Sequence, residues 1–260
     1  MAADPARAPD VQPAAGAGPV RLGAATDAGL IRRENEDCVV AVTGTGGLDA
    51  LVVVADGMGG HAAGRLASSL AVDAFAAHIE HDGQSGATPA RLHAALEAAN
   101  AAVLGAARQD SARAGMGCTL VAAALGGGRV AVVNVGDSPA YLVRARKLRV
   151  LSQDHSWPAE QARLGVISED EAKDHPLKHR LTRAVGVWEH VQAYSTDMEL
   201  RAGDVIALCT DGVETASVGL DELREVLSTT APELAPDEVV ARCLERGAPD
   251  NVTMAVALVG

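Results

Sequence analysis

Leu51-Val52-Val53-Val54-Ala55-Asp56-Gly57-Met58-Gly59-Gly60-His61 is an unbroken apolar run that halts at a carboxylate and passes into glycine. Five apolar residues rich in valine are short for a helix and suit a buried strand. The Asp-Gly step reads as the turn that ends it. Outward from this segment the pattern recurs. Val130 to Val135 runs into Gly136-Asp137, Val205 to Cys209 runs through Thr210 into Asp211-Gly212, and Asp250 stands just before Val252 to Leu258. A fifth acidic site, Asn35-Glu36-Asp37, precedes Val39-Val40.

Aspartate and glycine are ordinary turn formers, so one such site says little. The series says more, because a sheet holds its strand ends rigidly and carboxylates there converge with little slack. Oxygen-only donors suit hard cations such as Mg²⁺ and Mn²⁺, and no Cys/His cluster competes for zinc. Two such ions about 3.5–4 Å apart would activate a shared water, with its pKa brought towards about 7. Carboxylates so crowded repel one another, so metal dependence is expected together with metal binding.

Around these sites, Thr119 to Leu125 and Val130 to Val135 flank Gly126-Gly127-Gly128 as a hairpin, and Ala140 to Arg144 with Leu148 to Leu151 predict another. Gln192 to Ser195 is a further strand candidate. Helical patterns cover Ala63 to His78, Ala90 to Ala107 behind Thr88-Pro89, Leu220 to Ser228 and Asp237 to Glu245. Ser168-Glu169-Asp170-Glu171 has capping-box spacing. Long helices early, hairpins in the middle and helices late predict an α+β sandwich rather than a βαβ repeat.

Composition sets the limits. Hydrophobic residues are 48% but aromatics only 2%, so the core must be aliphatic. A formal net charge of −12 argues against a nucleic-acid binder, which needs a basic face. Cys38, Cys118, Cys209 and Cys243 contain no C-x-x-C pair and are expected as buried thiols in a reducing cytosol. No apolar run reaches about 18 residues, and MAADPARAPD lacks the features of a signal peptide, so a cytoplasmic protein without membrane contact is expected. Residues 1–20, rich in Ala, Pro and Gly, read as a disordered leader, and 21–260 as one domain.

In order along the chain, the Asp27 to Asp37 segment with its G-x-x-R-x-x-N-E-D spacing, Ala55-Asp56-Gly57-Met58-Gly59-Gly60-His61, Gly115 to Leu120, Gly136-Asp137-Ser138, Gln153-Asp154-His155-Ser156, Thr210-Asp211-Gly212 and Asp250-Asn251 resemble the motifs of the bacterial PP2C (PPM) serine/threonine protein phosphatases. The resemblance runs from about Arg21 to the C-terminus. It implies an α-β-β-α sandwich of two packed antiparallel sheets flanked by helices. It also implies a two-metal centre (Mn²⁺ or Mg²⁺) held by Asp56, the Gly57 carbonyl, Asp211 and Asp250, with Asp56 bridging. Glu36 and Asp37 would act through waters or as direct ligands, and Asp137 with Asp211 would hold a third, looser ion. Arg32 would grip the substrate phosphate, with Arg33 as the adjacent alternative. Activated water would then attack phosphoserine or phosphothreonine directly, and His61 is a weaker general-acid candidate than a water on the metal. The implied partners are phosphorylated proteins, a Ser/Thr kinase among them, met by a monomer.

Two departures bear on the third ion: Pro139 stands where the family has Arg, and Thr215 where it often has an acid, with Glu214 one place early. His155, His175, His179, Arg180 and Arg183 read as solvated flap residues beside the site rather than as a histidine metal site. Two rivals remain. One is a serine hydrolase on Gly136-Asp137-Ser138, which needs a histidine close to a late aspartate. The other is a degenerate phosphatase that only binds phosphoproteins or kinases.

Overall fold

A computed structural model of the chain describes residues 10–12, 20–60 and 62–260. Most of the expected leader, and His61, lie outside the described residues. The short segment Asp10–Gln12 forms strand β1.

Among the described residues the strands build two sheets. The first has the order β1, β3 (Asp37–Thr43), β4 (Ala50–Met58), β6 (Leu120–Gly126), β7 (Arg129–Val135) and β10 (Tyr194–Glu199), with β5 (Gly117–Cys118) on the end of β4. The second runs β2 (Val20–Asp27), β12 (Val252–Val259), β11 (Val205–Cys209), β8 (Ala140–Arg144) and β9 (Lys147–Val150). Neighbours are antiparallel except β1, which lies parallel to β3.

The unbroken apolar character of β4 follows from what covers it. Leu51, Val53 and Ala55 point at α1 (Ala62–His81) and α2 (Pro89–Gln109), packing with Phe75, Ile79, Leu92 and Leu96. Val52 and Val54 point the other way, against Leu142, Ile206, Leu208 and Ala255 of the second sheet. Both faces of the strand are dry, so the alternation expected of a half-exposed strand disappears. The outer face of the second sheet is closed by α6 (Leu220–Thr229) and α7 (Ala235–Glu245), through Leu223, Val226 and Val239 against Ala207, Met254 and Val256. The result is the expected helix–sheet–sheet–helix stack.

Local signals hold where they are strong. Thr88 caps α2, its Oγ1 accepting from Arg91 N at 3.3 Å with Pro89 in the first turn. Ser168 and Glu171 close a reciprocal capping box on α4 (Glu169–Lys173). Gly127 and Gly128, at φ 61° and 71°, make the β6–β7 turn. The polar stretch after Asp154 carries a second short helix, α3 (Trp157–Arg163).

Candidate metal centre

β3 and β4 pair so that Asp37 lies directly opposite Asp56. β11 and β12 are antiparallel, so Asp211 after one and Asp250 before the other emerge at the same end. Asp137 follows β7. The described structure brings Glu36, Asp56, Asp137, Asp211 and Asp250 onto one cleft of about 550 Å³, with the Gly57 backbone in its wall.

The Asp-Gly pairs are not turn glycines. Neither Gly57 nor Gly212 has positive φ. They are needed for close approach: a Cβ on Gly57 would stand 2.2 Å from the Gly64 carbonyl oxygen of α1, and one on Gly212 1.8 Å from the Asn251 oxygen. The missing side chains let α1 and the β12 entry lie against the carboxylate-bearing segments.

Each carboxylate is then fixed from behind. Asp37 is buried, and its Oδ2 accepts from Thr210 Oγ1 at 2.9 Å and Thr253 Oγ1 at 2.6 Å. Its Oδ1 is buried with no hydrogen-bond partner among the described residues. Asp56 exchanges contacts with Thr119: its N–H donates to Thr119 Oγ1 at 2.9 Å, and the Thr119 N–H donates to its carbonyl at 2.9 Å. Asn251 ties the N-terminal loop in, accepting from Glu36 N and donating to the Ala28 and Glu34 carbonyls, all at 2.9 Å.

Burial and mutual repulsion raise Asp37, Asp56, Asp137 and Asp211 above the usual carboxylate range. Asp37 is pushed up to about 7, chiefly by burial, against the pull of the two threonine hydroxyls. Asp137 rises to about 8 through burial, then Asp211 and Asp154. Asp56 lies well above the usual range through burial and the charges of Asp37, Asp211, Asp137 and Asp250. Asp211 is raised by burial and Asp250, while His179 and a hydrogen bond with Asp56 pull it down. Like charges packed this way are tolerated when a proton or a cation sits among them.

Among the described residues no three His, Cys, Asp or Glu side chains already form a finished cation cage. The reason is visible. Asp56 bonds to Asp211, and Asp250 Oδ2 is taken by Arg32 Nη2 at 2.7 Å. Even so, the residues fit a divalent cation: the donors are all oxygen, they line one cleft, and the orphaned Asp37 oxygen is a buried polar atom awaiting a partner.

Arg32 and Arg33 both line the cleft, and among the described residues Arg33 has no ion-pair partner. Glu214 bears on both Asp137 and Asp211, so an acid one place early still reaches the neighbourhood assigned to the third ion, and Thr215 lines the cleft. Of the flap histidines only His179 reaches the site, its Nδ1 3.8 Å from Asp211 Oδ2. His155 is not solvated as expected. It is fully buried, accepts from the Gly136 N–H at 3.2 Å, and is held down to about 4 by burial and Arg183. His175 stands against the Trp157 ring, centroids 5.1 Å apart. Ser138 is 1% exposed and bonded to Thr119 at 2.7 Å, which removes it as a hydrolase nucleophile. His179 is the solvated flap residue beside the site that the sequence suggested, whereas sequence reasoning missed the threonines behind the acids. Thr210 and Thr253 stood inside quoted motifs, but nothing local marked them as ligands of Asp37.

Residues 33–246 match the family model of protein phosphatase 2C, and the chain belongs to that family, whose members are metal-dependent serine/threonine phosphatases. It is similar to the serine/threonine protein phosphatase PstP of Mycobacterium tuberculosis, 36% identical over 238 residues, which are 92% of this chain and 45% of that protein. The chain thus spans about half the length of that relative. The serine/threonine phosphatase stp of Listeria monocytogenes is 36% identical over 240 residues, 88% of this chain and 92% of that protein. A solved structure of the PstP catalytic domain in complex with two manganese ions is 35% identical, with a TM-score of 0.80 over 92% of this chain and 97% of that one. No helix among the described residues is long and apolar enough to cross a membrane.

Proposed function

We propose that this chain hydrolyses phosphoserine and phosphothreonine in proteins, using two divalent cations, Mn²⁺ or Mg²⁺, at the cleft. Asp56, the Gly57 carbonyl, Asp211 and Asp250 would hold them, with Glu36 and Asp37 behind and Asp137 available for a third. When bound, such cations generate hydroxide from water near neutral pH and neutralise charge on phosphoryl oxygens. The observation that carries this reading is the crowding of like-charged acids around one cleft, with the buried Asp37 Oδ1 having no hydrogen-bond partner among the described residues.

The chain's own groups supply the rest. Arg32, half-exposed at the cleft mouth, offers a planar fork matched to phosphate; to do so it must let go of Asp250. The hydroxyls of Thr210 and Thr253 keep one Asp37 oxygen occupied, and among the described residues the other has no hydrogen-bond partner. A role as a phosphoprotein-binding module alone is less well supported, since every acid the chemistry requires is present. Partners would be phosphoproteins, a Ser/Thr kinase among them, met by a monomeric domain comprising residues 21–260. The test is release of phosphate from a phosphothreonine peptide. Turnover is expected with Mn²⁺ and none with EDTA; full turnover in EDTA would remove the reading.

A further inference from the structure

The β8–β9 hairpin lies at the other end of the second sheet from the cleft. Val205, which opens β11, pairs with Val143 beside the hairpin turn, whereas Asp211 follows the far end of β11. The separation along the strand is about 20 Å. In a chain of net charge −12, this hairpin carries Arg146, Lys147 and Arg149 within four residues, all exposed. Among the described residues none of the three side chains makes an ion pair or a hydrogen bond, although the Arg146 carbonyl accepts from Arg224 Nη1 at 3.5 Å; Arg144, just before them, is already committed to Asp204 at 2.6 Å.

The turn itself is unusual. Ala145 and Arg146 sit at φ 49° and 61°, two of three non-glycine residues in that region among those described. The β6–β7 hairpin makes the same kind of turn with Gly127-Gly128. An L side chain is strained in this conformation, and such strain gathers at ligand-holding sites. Beneath the turn is a pocket of about 380 Å³, with Arg146 and Arg21 at its rim and Val143, Leu227 and Leu258 in its wall. Among the described residues β9 is also the edge of its sheet, pairing only with β8, and Val150 beside Arg149 is 49% exposed.

Charges on Lys147 and Arg149 would by themselves serve to keep an edge strand from pairing at random. That purpose does not call for an arginine in a strained turn over a pocket. We propose that the hairpin is a docking surface for an acidic, extended segment of the phosphoprotein substrate, remote from the phosphorylated residue. The segment would add along β9, its carboxylates meeting Lys147 and Arg149 and its end reaching Arg146 and the pocket. A peptide fits better than an anionic membrane because an extended backbone can pair with the open edge of β9, which a bilayer cannot do. This rests on the phosphatase reading only for the identity of the partner.

The test measures binding of a labelled glutamate-rich decapeptide by fluorescence anisotropy, alongside turnover of a short phosphothreonine peptide with and without that tract on a flexible linker. Wild type should bind the tract, and R146Q/K147Q/R149Q should bind it about tenfold more weakly, a change equivalent to about 1.4 kcal/mol. Both should turn over the short peptide equally, and the tract should lower KM only for wild type. R146G separates charge from strain: it should melt at a higher temperature yet bind less well. Equal binding by wild type and the triple variant overturns the proposal. So does binding to phosphatidylserine vesicles without binding to the peptide, which would make the hairpin a membrane surface. Failure of both proteins on the short phosphopeptide would count against the phosphatase reading, and the anisotropy result would still decide the docking surface.

Discussion

At the junction of α1 and α2, Arg91 and Asp82 have buried side chains that form a matched pair, whereas at the strand ends a buried Asp37 and the part-buried Asp56, Asp137 and Asp211 have like charge for neighbours. The Arg91 guanidinium bonds through all three nitrogens: Nε and Nη2 grip Asp82 at 2.6 and 2.8 Å, Nη2 also lies 2.7 Å from the Gly46 and Ile79 carbonyls, and Nη1 reaches Gly86 at 3.3 Å. Asp82 is accordingly held below the usual carboxylate range. The strand-end acids are pushed the other way, and among the described residues one Asp37 oxygen has no hydrogen-bond partner. Charge buried with its counter-charge and all its hydrogen bonds is scaffold. Charge buried without them marks a place where something else must bind.

Substitutions at the two places should therefore fail differently. D211N should lower phosphatase kcat by about 10³-fold, the upper range for losing one element of transition-state charge stabilisation. Its metal-free melting temperature should match or exceed that of wild type, because a repelling charge is gone. R91M should do the reverse, costing about 3–5 kcal/mol in urea denaturation through an abandoned Asp82 while leaving kcat of the folded fraction nearly unchanged. If R91M proved catalytically dead but stable, the division between scaffold and site would be wrong.

Smaller effects sharpen the contrast. R32A should raise KM about tenfold for a phosphothreonine peptide, the change one charge-assisted contact is worth, and R33A should do less. Acidity offers a further check. Asp37 and Asp137 titrate near 7 and 8 in the metal-free fold, against an unfolded value near 3.8. Raised carboxyl values mean stability that is fully present below about 3.8 and lost as pH rises through about 7–8. The EDTA-treated protein should thus melt lower at pH 8 than at pH 6.5. Added Mn²⁺ should raise the melting temperature more at pH 8, where the acids are ionised. A melting temperature that rises with pH without metal would contradict the repulsive cluster.

Much of this was legible in the chain. β4, β7, β11 and β12 are dense aliphatic runs with the acids at or next to their ends, so the strand signal and the site signal coincide. What escaped reading lacked either density or locality. β2 is Val-Arg-Leu-Gly-Ala-Ala-Thr-Asp, whose small residues show no alternation, and it pairs with β12 from the opposite end of the chain. The last part of the first sheet lies at Tyr194–Glu199 rather than from Gln192, because pairing with β7 sets its register more than its polar sequence does. The α3 helix was hidden by the polarity of the flap. At the site, the acids announce themselves by position. The threonines that hold Asp37 come from 173 and 216 residues away and could be placed only by the fold.

The most direct measurement is calorimetric titration of Mn²⁺ into metal-free protein at pH 7.5, repeated in buffers of different ionisation enthalpy to count protons. Saturable binding of about two ions with proton release, abolished or halved in D211N, is the expected result. Absence of binding, or binding with no proton released, would contradict the claim that these crowded acids bind protons more tightly than ordinary carboxylates and exchange them for a cation.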